Sequence, residues 1–151
     1  MVRLLPARAI ATVASAMEVN ALTAELDRAL ASVLKATGPV DGAMTVARYA
    51  RAYRECDMRE ARARQVELIV HVGHELDAVV RLPLIYSTLK LLRAPARMAG
   101  LAGLQDFLER GFRAFRAMNG AEGFLSAVET RETEIMERIF AGDDAPFPAP
   151  V

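Results

Sequence analysis

Cysteine, tryptophan and histidine are nearly absent from this chain. Of its 151 residues one is Cys, none is Trp and two are His. A single thiol, Cys56, excludes an internal disulfide and suits a reducing compartment, so a cytoplasmic protein is expected. No apolar run reaches the roughly eighteen residues that a membrane-spanning helix requires. Glycine-rich phosphate loops and internal repeats are missing, and Ser15, Ser32, Ser87 and Ser126 stand in no nucleophile-elbow context. Basic and acidic residues cancel at 19 each, which removes any global field that would draw the chain to nucleic acid or an acidic membrane. Residues 1–17, MVRLLPARAIATVASAM, carry two Arg, no acid and an Ala14-Ser15-Ala16 like a leader cleavage site. Pro6 and Arg8 interrupt the apolar stretch that a leader needs, so the cytoplasmic expectation stands.

What is abundant is helix-forming. Hydrophobic residues make up 53% and aromatics 6%, so the core is aliphatic, built on Leu, Val, Ile, Met and Ala. Ala, Leu, Arg, Glu and Met favour helix, and the alternation that marks half-buried strands hardly occurs. The expected fold is all-α, a bundle of about five helices forming one domain over residues 1–141. Residues 142–151, with three prolines, read as a disordered tail.

Helix punctuation supports this architecture. Ser15-Ala-Met-Glu18 has capping-box spacing, and Val19, Leu22, Leu26, Leu30 and Val33 follow at helical intervals. Gly38-Pro39 stops that helix, and Asp41 can cap the next. Pro83 and Pro95 bracket a short helix, Leu84 to Arg93. Leu101, Leu104, Leu108, Gly111, Phe115 and Met118 form an apolar seam whose glycine allows close approach of a partner helix. Asn119-Gly120 ends it, and a last helix runs from about Ala121 to Ala141.

The stretch from about 42 to 82 reads as one long helix, bent near Asp57 if it is not straight. Its second half has an apolar face of Val66, Ile69, Gly73, Leu76 and Val80. Its first half puts Val46, Tyr49, Tyr53 and Cys56 on nearly the opposite side. Either the helix breaks at Asp57-Met-Arg-Glu60, or it is covered on two faces. Spacings Arg51–Glu55, Glu55–Arg59 and Glu60–Arg64 bridge the junction and favour continuity. A helix covered on two faces in so small a chain calls for a homodimer.

HVGHELD, residues 71–77, holds both histidines. Glu67, His71 and His74 share one helical stripe, and imidazole and carboxylate at this spacing suit a divalent metal. The pattern is neither HExxH nor the paired Glu-x-x-His of di-iron bundles, so further ligands would have to come from elsewhere. Glu132 is one candidate. It interrupts the apolar face Ala121, Leu125, Val128, Ile135 and Ile139 of the last helix. A solvated helix face accounts for the same residues. Cys56 lies between Glu55 and Asp57, which disfavour a thiolate nucleophile. Residues 81–118 carry seven basic and two acidic side chains, without a nucleic-acid motif or interleaved aromatics. Phe107, Phe112, Phe115 and Phe124 would suit core or a small apolar ligand. The expectation is a non-catalytic, homo-oligomeric helical interaction protein with no cofactor. The alternative is a bundle that binds a metal or small ligand around Glu67, His71 and His74.

Overall fold

The computed structural model describes residues 7–38 and 43–148. Among them the chain is all-α, with seven helices and no strand: α1 (Ala7–Ala36), α2 (Val46–Glu55), α3 (Arg59–Val80), α4 (Pro83–Leu91), α5 (Arg93–Met98), α6 (Ala102–Ala117) and α7 (Glu122–Phe140). α3 is the central element and touches α1, α7, α6 and α4, while α2 bridges α1 and α7. No helix of the described residues is long and apolar enough to cross a membrane.

At 30 residues α1 spans about 45 Å. It turns Leu26 and Leu30 into the core, as the apolar spacing implies. It begins well before Ser15, however, so Ser15 and Glu18 are interior helix positions and not a capping box. Position 41, read as the next cap, lies outside the described residues. Thr45 caps α2 instead, its hydroxyl oxygen accepting a 3.2 Å bond from the Arg48 N–H.

The long helix does not form. The chain leaves α2 at Cys56, Asp57 takes a left-handed φ of 51°, and α3 starts at Arg59. Aspartate tolerates this conformation better than most residues. The break frees the two halves from a common phase, and the expected faces are only partly covered: α2 buries Ala50 and Ala52 and half-buries Tyr49, Tyr53 and Cys56 with Val46 exposed, while α3 buries Leu68, Val70, Gly73 and Val80 and leaves Ile69 exposed. With it goes the original ground for a dimer, a single helix covered on two sides.

Two further readings change. The spacing predicts a boundary at Pro95, yet Pro95 sits in the first turn of α5, where a missing N–H costs nothing. Gly111 is exposed with nothing near it, so it is not the close-approach glycine of the bundle; the side chain of Leu104 in that seam is outside those described. Gly73 takes that role, since a Cβ there would collide with the Leu125 side chain of α7. Val70, Ala121 and Leu125 form the buried contact around this crossing, with Phe115 packed on it.

The segment 142–148, expected to be disordered, packs on the bundle. Pro146 is fully buried and the Phe147 ring lies 6.1 Å from that of Tyr49. Arg54 of α2 donates to the carbonyls of Ile139 and Asp143 at 3.2 and 3.3 Å and pairs with Asp144 at 2.8 Å. It thereby serves the open carbonyl end of α7 and fixes the turn that follows. Asp143 accepts from the Ala145 N–H at 2.7 Å and from Arg138 at 2.8 Å, and these bonds hold its carboxyl below the usual range.

Candidate functional site

The HVGHELD residues lie on α3 but do not converge. His71 is exposed, its Nε2 3.7 Å from Glu75 Oε1. His74 reaches across to α7, with Nδ1 3.5 Å from Glu122 Oε2. Glu67 is exposed and accepts from Arg64 at 3.5 Å. Glu132 belongs to a different part of the molecule, among Tyr49, Tyr53 and Arg62. No three His, Cys, Asp or Glu side chains among the described residues are grouped to hold a metal ion. The reason is geometric. Glu67, His71 and His74 all lie on α3, but Glu67 turns to Arg64, His71 to Glu75 and His74 to Glu122 of α7. In this motif the interior instead receives Glu75, whose Oε2 is buried with no hydrogen-bond partner.

The better-built site lies where α2, α3 and α7 meet. A cavity of about 100 Å³ is lined by Tyr49, Tyr53, Arg62, Gln65, Val66, Glu132, Ile135, Met136, Ile139 and Phe147. Arg62 is only 9% exposed, and its guanidinium lies 4.5 Å from the centre of the Tyr53 ring. It donates to Gln65 Oε1 at 3.3 Å, and Gln65 in turn donates from Nε2 to the Thr23 hydroxyl of α1 at 2.8 Å. This relay and the ring stack fix the orientation of the cation. Tyr53 packs edge-on against Phe140, at 5.6 Å, and lies 6.0 Å from Tyr49. Burial pushes the Tyr53 hydroxyl up to about 12; the positive charge of Arg62 opposes that shift, and Tyr49 and Glu132 add to it. Tyr49 is raised for the same leading reason, burial. Burial likewise raises the Cys56 thiol, which keeps it a thiol at neutral pH.

The sequence held signals for this cavity. Tyr49 and Tyr53 are four residues apart, and Arg62 and Gln65 three, so each pair shares a helix face. Nothing in a single sequence shows that the two faces meet.

A second concavity is apolar and open. Ala16 and Val19 of α1, Ile69, Val72, Gly73 and Leu76 of α3, Phe115 of α6, and Phe124, Leu125 and Val128 of α7 line a groove of about 350 Å³. Ile69 and Phe124 remain 39% and 53% exposed within it. Further along, α4–α6 carry a polar clamp. Glu109, buried on α6, accepts both arms of Arg93 and a 3.0 Å bond from Gln105. Those bonds hold the carboxyl at about 2.

Fold and cavities together describe a small all-α bundle that carries a lined polar pocket and an open apolar groove. Residues 1–146 match the model of a family described as Domain of unknown function (DUF8198), and the chain belongs to that family. No curated protein and no solved structure matches it.

Proposed function

We propose that the protein is a non-catalytic helical interaction module that pairs with a second copy of itself through the α1/α3/α7 groove. The observation that carries this is the exposed apolar wall of Ile69 and Phe124 in an otherwise well-covered part of the bundle. Contiguous exposed apolar surface marks an interaction site more often than isolated residues do. The occupant is suggested by α1, which supplies one wall of the groove. Val13 and Met17, one turn apart on that helix, are 58% and 68% exposed. A two-fold arrangement lets the α1 flank of each copy cover the groove of the other, which is the self-complementarity a symmetric dimer needs. The single half-buried thiol supports a reducing, cytoplasmic setting.

Sedimentation equilibrium tests the proposal. A dimer is expected at micromolar concentration, and Phe124→Glu should yield a monomer with unchanged helical content. A wild-type chain that stays monomeric to about a hundredfold higher concentration rejects it. The alternative, a divalent-metal bundle, lacks comparable support, because Glu67, His71 and His74 each face a different neighbour.

A further inference from the structure

We infer that the cavity between α2, α3 and α7 binds a compact oxyanion, a carboxylate or inorganic phosphate, through Arg62 with Tyr49 and Tyr53 as walls. A cation removed from water is costly unless it is paired, and a guanidinium carries more N–H donors than one acceptor can use. Arg62 is nine-tenths buried, makes one hydrogen bond, to Gln65, and has no carboxylate of the described residues within ion-pair distance. The face of Tyr53 adds a cation–π contact. A planar, forked donor held in this way matches carboxylate and phosphate geometry.

The surroundings fit the same chemistry. The Thr23–Gln65–Arg62 relay fixes the guanidinium before any ligand arrives, which lowers the ordering cost of binding. Neither the Tyr49 nor the Tyr53 hydroxyl has a hydrogen-bond partner among the described residues, and both rings line the cavity. A tyrosine hydroxyl is protonated at neutral pH and burial raises both further, so they are donors and not competing anions. Val66, Ile135, Met136 and Ile139 give an apolar floor that strengthens a charge-assisted bond. About 100 Å³ admits a small anion or the anionic end of a larger molecule, not a whole nucleotide. Glu132, exposed on the lining, sets a negative charge against the ligand and so limits its affinity.

The chain offers a direct readout. It has three tyrosines and no tryptophan, so two of its three emitting side chains line this cavity. Tyrosine fluorescence of the full chain is titrated with sodium acetate and with inorganic phosphate, with sodium chloride at matched ionic strength as reference. A saturable change with acetate, phosphate or both is expected, retained in Tyr86→Phe and lost in Arg62→Gln. Glu132→Gln should tighten binding by about threefold or more, and Tyr53→Phe should weaken it. If Arg62→Gln fails to fold, those two variants decide. Responses that match chloride, or an affinity untouched by both Glu132→Gln and Tyr53→Phe, overturn the inference.

Discussion

Where α2, α3 and α7 meet, Met136 and Ile139 are 5% and 1% exposed, and the Arg54 contacts close the end of α7 beside them. Across α4–α6, by contrast, Leu91, Leu92, Met98 and Leu101 stand 78%, 48%, 90% and 51% exposed. That second region is held by something else. Gln105 bonds the Leu89 carbonyl at 2.7 Å and Glu109 at 3.0 Å, and Glu109 takes Arg93 at both oxygens. Aliphatic burial is non-directional and tolerates small shifts, whereas a buried carboxylate stabilises only with its partners in place. The same chain therefore contains a packed end and a clamped end, and the two should fail under different insults.

The largest contrast is expected from truncation. Ile139→Ala should cost about 3 kcal/mol in urea unfolding, and Leu91→Ala should stay within about 0.5 kcal/mol. Equal losses would mean that α4 is covered in solution by something other than its own chain. Next in size is Gly73→Ala, where the new methyl meets Leu125; a loss of about 1–3 kcal/mol is expected, despite the better helix propensity of Ala. The double variant with Leu125→Ala should recover part of that loss, and additivity of the two would refute the crossing.

The clamp has its own signature. Glu109 sits at about 2, below the ordinary 4.5, because Arg93 first and Gln105 second bond its charged form. A carboxyl depressed in the folded state contributes fully above pH 4.5, and that contribution fades as pH falls toward 2. Hydrogen exchange should therefore show α6 opening in that window before α3 and α7 do, and Glu109→Ala should open it at neutral pH. Simultaneous loss of all three helices would show that the two regions form one cooperative unit. A smaller effect attaches to the hinge between α2 and α3. Asp57→Gly should stabilise by about 0.5–1 kcal/mol, since glycine occupies a left-handed φ without strain, and Asp57→Val should do the opposite. The smallest concerns Glu132, which is exposed: Glu132→Leu should shift stability by no more than about 0.5 kcal/mol. A marked loss there would reveal a buried pair with Arg62.

Periodicity made much of this fold readable. Leu26 and Leu30 of α1 are buried as their spacing required, Asn119 and Gly120 end α6 in left-handed conformations, and α7 spans the expected stretch. Local signals misled where two meanings share one spacing. Ser15-x-x-Glu18 is a capping box at a helix start and an ordinary i,i+3 pair inside a helix, and α1 makes it the latter. Of the i,i+4 charge spacings around Asp57 only Glu55–Arg59 crosses it, and such a pair favours continuity by a few tenths of a kcal/mol. Burial of Ala50 and Ala52 on α2 and of Leu68, Val70 and Val80 on α3 outweighs it. Prolines in the last ten residues suggested a loose tail, because the Arg54 and Tyr49 that receive residues 143–147 are some ninety positions away in sequence.

By itself the sequence determined the helical class, most helix positions and the lack of an internal disulfide. These depend on neighbours within a few turns and on composition, where propensity and spacing act directly. Only the tertiary structure decided that the chain breaks at Asp57, that Gly73 rather than Gly111 admits a second helix, and that Arg62 lies over Tyr53 beside Glu132. The histidines drew notice because they are rare, yet a site is made by side chains that converge. Convergence between helices is set by which pairing of faces removes the most apolar surface from water.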